Sequence, residues 1–168
     1  YFHLYRADII KKDNFRLSRT LPRILLPHEN NYPFLYHYFL AIFTKETRVF
    51  LDRIVGAFFD SINILIVFFL TKWLIKDSHL VVESSMLPIF SSFLYAVSPG
   101  LFRNGGGPRA FNGSPRVLGQ TLFMTHLSSS LVFFENGSVI FFLMAIFAGG
   151  LLILAAKFST QVLIFFGV

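Results

Sequence analysis

Asp60 is the side chain of this sequence with the clearest potential for chemistry, because it lies about two turns into the apolar run 54–75. A carboxylate in lipid costs about 3 kcal/mol unless it is paired or hydrated, so its helix face must look toward other protein segments. Gly56 and Asn63 share that face by helical spacing. The pattern predicts either a hydrogen-bonded contact between helices or a binding site for a substrate or an ion.

Histidines provide further candidates. His28 and His37, with Glu29 between them, carry the ligand types that divalent metal ions accept, although Pro33 intervenes and the spacing matches no tight metal motif. A divalent metal ion is therefore one alternative, and interfacial side chains that reach toward solvent are the other. His126 lies in an apolar run rich in Ser and Thr, where it is either a proton relay or ligand, or part of close helix packing.

The amino-acid composition indicates the kind of protein that positions these residues. Hydrophobic residues make up 54% of the 168 residues, charged residues only 14%, and Phe alone occurs 23 times. Soluble domains hold nearer a quarter of charged residues, and so much Phe suits a surface that faces lipid. The net charge of +6 lies between apolar runs rather than on one basic face, so we expect no nucleic-acid partner. The absence of Cys excludes thiolate metal sites.

The apolar runs predict an all-α fold, a polytopic transmembrane helical bundle with about five spans plus a truncated one. The predicted spans are 33–44, 54–75, 80–97, 117–134 and 139–156, and a shorter run begins at Phe158. Residues 1–32 are predicted to form an extracytoplasmic loop with a short amphipathic surface helix over 1–10, whose apolar face is Phe2, Tyr5 and Ile9. Residues 33–168 form the bundle, and both ends of the chain are expected to be cut.

Cations predict the orientation of the bundle. If every run crosses, one side of the bilayer receives seven cations from the short loops, namely Lys45, Arg48, Arg53, Arg103, Arg109, Arg116 and Lys157. The other side receives Lys72, Lys76 and the segment 1–32. The positive-inside rule makes the first side cytoplasmic, although the six cations of 1–32 argue the other way.

Several segments together resemble one enzyme family. The run 31–37, Asn-Tyr-Pro-Phe-Leu-Tyr-His, resembles the "YPPLYH" entry into the second span of GT-C glycosyltransferases, with Phe34 in place of a second proline. Residues 1–10 look like the helix after the first acidic motif of that family, and 114–119, Ser-Pro-Arg-Val-Leu-Gly, resemble a "PRxLG" span opening. The family includes protein O-mannosyltransferases and aminoarabinose transferases.

The resemblance implies an integral membrane glycosyltransferase that moves a sugar from a polyprenyl- or dolichyl-phosphate donor to an acceptor on the outer or lumenal side. It places the catalytic carboxylate upstream of Tyr1, with Asp8 and Glu29 as lesser candidates. Residues that it favours for substrate binding are Tyr32, His37, Asp60 and Arg116.

The role of Arg116 depends on the run 80–97, which contains Glu83 and Pro88. If that run crosses the bilayer, Arg116 is a cytoplasmic anchor; if it turns back as a re-entrant hairpin, Arg116 stands near the donor phosphate and could bind it bidentately. We favour the crossing, because the cation count fails under the alternative.

Two further classes of function are compatible with the sequence. A multi-span transporter or permease would line its pathway with Asp60 and His126, although no internal repeat supports one. A non-catalytic membrane subunit would use its small residues only for packing. Each places the chain in a plasma membrane or an endoplasmic reticulum membrane as a multi-pass protein, and the sequence upstream of Tyr1 would discriminate among them.

Overall fold

The computed structural model describes residues 2–17, 33–76, 86–97 and 115–155, together with Gln161 and Ile164. Within these residues the chain is all α-helical and contains no strand, which confirms the all-α part of the predicted fold class. The helices are α1 (Phe2–Lys12), α2 (Leu35–Ile42), α3 (Lys45–Leu74), α4 (Met86–Val97), α5 (Pro115–Asn136) and α6 (Val139–Ala155).

Two of these helices, α3 and α5, are long and apolar enough to cross a membrane. The helices α4 and α6 are apolar but shorter, with 12 and 17 residues. The described residues therefore contain two such helices rather than about five. The predicted span over 33–44 is wrong, because α2 has only 8 residues. That length corresponds to about 12 Å, far less than the ~30 Å of a hydrocarbon core.

Helix α3 begins nine residues before the apolar run that predicts it. Thr44 caps its first turn, and the Thr44 hydroxyl oxygen accepts a hydrogen bond from the Thr47 backbone N–H at 3.4 Å. Glu46 lies in the same turn, where a negative charge is favourable beside the positive end of the helix dipole. The helix consequently carries a polar first third, including Arg48 and Asp52, before its apolar stretch starts at Ile54.

The helices pack as neighbouring pairs. Helices α5 and α6 form a hairpin, and α3 packs against α4 and α5. A tight turn joins α5 to α6, where Gly137 has a φ of +63° and its N–H donates to the Phe133 carbonyl at 2.7 Å. A positive φ at this position is the usual way for a helix to end at glycine. Large apolar side chains such as Ile140 and Phe147 are exposed on α6, as suits a lipid-facing surface.

Helix α1 forms where the sequence predicts it, but it buries a different face. Arg6, Ala7 and Ile10 are buried, whereas Phe2 is exposed. The face of Phe2, Tyr5 and Ile9 is therefore not the one that packs on α2, and its placement on a membrane surface stays a prediction. Helix α1 packs against α2 through Ala7 and Ile10, which belong to the apolar core that the two helices share.

The predicted separation of residues 1–32 from Lys45 and Arg48 is also wrong. Asp8 of α1 forms an ion pair with Arg48 of α3, and the Lys11 ammonium donates to the Phe43 carbonyl at 2.8 Å. A bilayer cannot lie between groups in hydrogen-bond contact. Helix α1 and the first third of α3 therefore lie at the same end of the bundle, because α2 is too short to part them.

Candidate functional site

Polar side chains are buried where α1, α2 and the first third of α3 meet. We call this set the junction cluster: Arg6, Tyr36, His37, Arg48 and Asp52 are buried, and His3 and Asp8 are half-buried. Burying charged groups is unfavourable unless they are paired or hydrogen-bonded, so such a concentration within so small a helical unit points to function.

Apolar packing beside the cluster holds it in place. Ala7 and Ile10 of α1, Leu40 and Ala41 of α2, and Val55 of α3 form one buried apolar core. In α2 the core residues follow Tyr36 and His37 by four positions, so the polar and apolar pairs share a helix face. The core thereby fixes the direction in which the polar side chains of α2 point.

Tyr36 and Asp52 join α2 to α3. The Tyr36 hydroxyl donates a hydrogen bond to the Asp52 carboxylate at 2.8 Å, and Tyr36 is fully buried. Burial, together with the neighbouring Asp52 charge and this hydrogen bond, raises the pKa of Tyr36 far above its ordinary value. The phenol therefore stays protonated and acts as a donor to the carboxylate.

Arg48 joins α3 to α1. One of its terminal nitrogens donates to Asp8, and the other donates to the Phe43 carbonyl at 3.2 Å. Its side chain is only 3% exposed, against 41% for Asp8. The carboxylate can thus reach solvent while the guanidinium is enclosed, which leaves the cation with protein partners in place of water.

Arg6 is the second buried guanidinium, at 1% exposure. Its central carbon lies 5.7 Å from the centre of the Phe2 ring, within the range of a cation–π interaction. The cluster thus holds two buried guanidinium groups, Arg6 on α1 and Arg48 on α3, and such groups match phosphate oxygens in geometry.

The two histidines of the cluster are in direct contact. His3 Nδ1 lies 3.0 Å from His37 Nε2, and His37 Nδ1 lies 3.2 Å from the Pro33 carbonyl oxygen. Burial, reinforced by the Arg6 charge and by His3, lowers the pKa of His37 to about 3. Burial also lowers the pKa of His3, where Asp52 opposes the shift. Both rings are therefore neutral at pH 7.

The structure brings some of the predicted site residues together and keeps others apart. His37 and Asp8 belong to the junction cluster. Asp60 follows Asp52 by eight residues on α3, about 12 Å along the helix axis, and lies outside the cluster. Arg116 is exposed at the start of α5. The remaining predicted residues, Tyr32, Glu29 and His28, lie outside the residues that the structure describes.

Sequence reasoning did not identify His3, Arg6, Arg48 and Asp52 as site residues. It assigned the arginines to loops, since loops are where most cations of membrane proteins lie. The signal that could have found them is their spacing. His3, Arg6 and Ile10 recur at helical intervals on α1, and Arg48, Asp52 and Val55 do so on α3, so each polar residue shares a face with a buried apolar one.

A metal site is not formed by the described residues, which contain no group of three or more His, Cys, Asp or Glu side chains placed to hold an ion. His3 and His37 supply two imidazoles, but they are directed at each other. The metal set predicted from His28 and Glu29 falls outside the described part of the chain.

A second polar set lies within the apolar helices. Neither amide atom of Asn63 has a hydrogen-bond partner among the described residues, although Asn63 is fully buried. His126 Nδ1 contacts the Ala145 carbonyl oxygen at 2.8 Å, while the buried Nε2 atom has no partner within the same residues. Of these groups, His126 links α5 to α6 by one contact, and Asn63 of α3 forms no side-chain hydrogen bond to the described residues.

In comparisons with protein families, with curated proteins and with solved structures, nothing matches this chain.

Proposed function

We propose that this chain is part of a membrane glycosyltransferase that uses a polyprenyl- or dolichyl-phosphate-linked sugar, and that the junction cluster binds the donor. The observation that carries the proposal is the packing of α1 against α2. Two of the segments that resemble GT-C glycosyltransferases, residues 1–10 and 31–37, are separated in sequence. Their described parts pack together, and this contact buries Arg6, Tyr36 and His37.

The position of the cluster suits a lipid-linked substrate. The apolar stretch of α3 begins at Ile54, directly after Arg53, so Arg48 and Asp52 lie at the edge of the predicted hydrocarbon region. A polyprenyl chain in the bilayer would bring its phosphate to this level. The guanidinium groups of Arg6 and Arg48 are the proposed phosphate ligands, and they would also stabilise the charge on the leaving phosphate. Arg116 is a further candidate, as its helix starts near the same end.

The bundle that carries this site is proposed to be multi-pass. Helices α3 and α5 are long and apolar enough to cross a membrane. Helix α6 has 17 residues, which corresponds to about 26 Å and is close to the thickness of the hydrocarbon core. Helix α4 has 12 residues and lies within the predicted span 80–97, whose crossing stays a prediction. The proposed location is a plasma membrane or an endoplasmic reticulum membrane.

A donor-transfer assay tests the proposal. The full-length protein in lipid nanodiscs would be incubated with polyprenyl-phosphate mannose or glucose carrying a radiolabel, and release of polyprenyl phosphate would be measured. We expect Arg6→Gln to weaken donor binding by about tenfold or more, because a charge-assisted contact contributes about 1.5–3 kcal/mol. Lys12→Gln is the matched control, since it removes an exposed cation from the same helix.

The control separates two outcomes. Equal losses for Arg6→Gln and Lys12→Gln would indicate general attraction of the anionic donor and contradict a binding role for the cluster. Monodispersity and thermal stability of each variant would be recorded, so that a folding defect in Arg6→Gln is recognised. An absence of transfer by the unmodified protein with every donor would contradict the glycosyltransferase function itself.

A transporter is the second candidate function, and the incompletely bonded polar groups inside the bundle favour it. Asn63 is fully buried, and both it and His126 carry polar atoms without partners in the described chain. Intramembrane polar groups often mark substrate or proton pathways. Uptake of a labelled sugar or of protons by proteoliposomes, lost in Asn63→Leu and unaffected by Arg6→Gln, would favour this function over the transferase.

A further inference from the structure

Two cations, Lys11 of α1 and Arg48 of α3, share one acceptor at the edge of the junction cluster. The Lys11 ammonium donates to the Phe43 carbonyl oxygen at 2.8 Å, and a terminal nitrogen of Arg48 donates to the same oxygen at 3.2 Å. Because both groups contact one oxygen atom, the ammonium and the guanidinium lie side by side. Like charges this close repel each other unless an anion lies beside them.

The anion beside this pair of cations is Asp8. Its carboxylate accepts a hydrogen bond from the other terminal nitrogen of Arg48. The Asp8 side chain is 41% exposed, whereas that of Arg48 is only 3% exposed. Asp8 therefore lies between solvent and the enclosed guanidinium, at the position where an anion from outside the protein would meet Arg48.

The ion pair of Arg48 and Asp8 is a single contact. One guanidinium nitrogen contacts Asp8, a second contacts the Phe43 carbonyl, and the buried Nε atom has no hydrogen-bond partner among the described residues. Pairs that use two parallel hydrogen bonds are the stronger ones. A single contact to a half-exposed carboxylate opens more easily, because water hydrates the carboxylate that is released.

A phosphate group matches these donors better than a carboxylate does. An ammonium has three N–H donors, and the Phe43 carbonyl occupies one of those on Lys11. The unesterified oxygen atoms of a phosphate point in different directions, so one phosphate can accept hydrogen bonds from a guanidinium and from an ammonium at once. A phosphate would thus neutralise both cations.

We propose that a phosphate group binds between Arg48 and Lys11, and that Asp8 is an internal competitor that occupies the Arg48 contact while no phosphate is bound. The proposal rests on the proposed function, which supplies the phosphate of a polyprenyl- or dolichyl-linked donor. It adds Lys11 to the binding residues and requires the Asp8 carboxylate to turn toward solvent before the phosphate enters. The measured affinity is then reduced by the fraction of molecules in which Asp8 still covers Arg48.

An asparagine at position 8 tests the competition. In Asp8→Asn the amide oxygen can still accept a hydrogen bond from Arg48, so the contact is kept while its charge is lost. The full-length protein in nanodiscs would be titrated with polyprenyl phosphate in the lipid and, separately, with inorganic phosphate in solution. Binding would be measured as the rise in thermal midpoint over the same variant without phosphate, so that a change in intrinsic stability does not enter. We expect Asp8→Asn to bind polyprenyl phosphate about tenfold more tightly, since no ion pair has to open first.

The matched control for this substitution is Asp13→Asn. Asp13 is exposed directly after the end of α1, so the control removes the same charge from the same region. We expect its affinity for both phosphates to stay nearly unchanged. Equal tightening in Asp8→Asn and Asp13→Asn would indicate weaker general repulsion of anions and would overturn the proposal.

The two cations are tested in the same assay. Lys11→Gln should weaken phosphate binding, whereas Lys12→Gln, which removes the neighbouring exposed cation, should not. Adding Arg48→Gln to Asp8→Asn should abolish the gain in affinity, because the competitor then has no cation to cover. A gain that persists in this double variant, or equal effects of Lys11→Gln and Lys12→Gln, would contradict the site.

The two phosphates distinguish the source of the ligand. Tighter binding of polyprenyl phosphate alone in Asp8→Asn would support a phosphate that is held at this level by its lipid chain. Tighter binding of both would support a site that recognises the phosphate group itself. Tighter binding of inorganic phosphate alone would contradict a lipid-linked ligand, and tighter binding of neither would overturn the proposal.

A separate measurement of sugar transfer distinguishes failure of this inference from failure of the glycosyltransferase function. Tighter phosphate binding in Asp8→Asn, without transfer by the unmodified protein, would refute the glycosyltransferase function and leave Asp8 as the competitor at Arg48. Transfer by the unmodified protein, with unaltered phosphate binding in Asp8→Asn, would overturn the competition alone.

Discussion

Tyr36 shows how much one buried hydroxyl contributes to the junction cluster. Its hydrogen bond of 2.8 Å to Asp52 is the polar link between α2 and the first third of α3. In Tyr36→Phe the buried carboxylate would lose a donor without regaining water. We expect the free energy of unfolding to fall by about 1–3 kcal/mol, the range for leaving a buried acceptor unsatisfied. Denaturation of the protein in mixed detergent micelles would measure the change.

Tyr38 provides the comparison for that measurement. Its hydroxyl also donates a hydrogen bond of 2.8 Å, to the Phe15 carbonyl, but this bond is exposed to solvent. Tyr38→Phe should therefore cost little, because water can replace the lost donor. Equal destabilisation by the two substitutions would mean that Asp52 is hydrated and that the junction cluster is less enclosed than its burial indicates.

The histidine and arginine residues differ in how far sequence alone could assign them. His37 is predictable, because it ends a segment that resembles a known motif. Arg6 and Arg48 are not, since charge alone places a cation in a loop, whereas here each shares a helix face with apolar residues and is enclosed by a second helix. Whether a charged residue is buried depends on which helix packs against it, and that information is not local in sequence.

Helices α5 and α6 pack closely where Gly149 of α6 lies against the imidazole ring of His126 of α5. A Cβ atom added at Gly149 would lie 2.9 Å from His126 Nδ1, the atom that contacts the Ala145 carbonyl. Gly149→Ala must therefore displace the ring and weaken that hydrogen bond. We expect a loss of about 1–3 kcal/mol in the free energy of unfolding, the usual cost of overpacking, measured by denaturation in mixed micelles.

Gly150 is the matched control in the next position of α6. An added Cβ there has no atom within 4 Å, so Gly150→Ala should be neutral or stabilising through the better helix propensity of alanine. If Gly149→Ala were equally well tolerated, the close packing of α6 against His126 would be contradicted.

The ends of a helix are predicted more accurately when its apolar run is long. The runs 117–134 and 139–156 agree with α5 and α6 to within about two residues, because long apolar segments are bounded by polar residues on both sides. The predicted boundary between the runs 33–44 and 54–75 differs from the structure, in which α3 already begins at Lys45. There Thr44 starts α3 among polar residues, so the boundary depends on a capping hydrogen bond rather than on hydropathy.

At the scale of the molecule, the starts of α3 and α5 lie at the same end of the bundle. Leu118 near the start of α5 packs on the core that joins α1, α2 and Val55 of α3. Further along, the Thr121 hydroxyl approaches the Phe59 carbonyl at 3.5 Å. Helix α4 runs the opposite way, since its Ser92 hydroxyl donates toward the Ile64 carbonyl and its later Tyr95 hydroxyl accepts from Gln120.

This arrangement changes the distribution of charge across the membrane. The cations of α1 now join those at the starts of α3 and α5, and only Lys72 and Lys76 of the described cations lie at the far end. The positive-inside rule then favours the cytoplasm for the end that carries the junction cluster, whereas the resemblance implies the outer or lumenal side. Lipid-linked phosphates can be recognised on either face, so the proposed chemistry does not depend on this choice.

Cysteine labelling can test whether α1 and the starts of α3 and α5 lie at the same end of the bundle, and on which side of the membrane that end lies. The given sequence contains no Cys that would interfere. Single substitutions at the exposed residues Lys12, Arg116, Lys76 and Glu135 would be tested with an impermeant thiol reagent, before and after permeabilisation. We expect Lys12→Cys and Arg116→Cys to behave alike, and Lys76→Cys and Glu135→Cys to show the opposite accessibility, because α3 and α5 each cross once in the same direction. Labelling of the first pair in intact cells would place the junction cluster outside, and labelling only after permeabilisation would place it in the cytoplasm. Opposite accessibility of Lys12→Cys and Arg116→Cys would contradict the shared end.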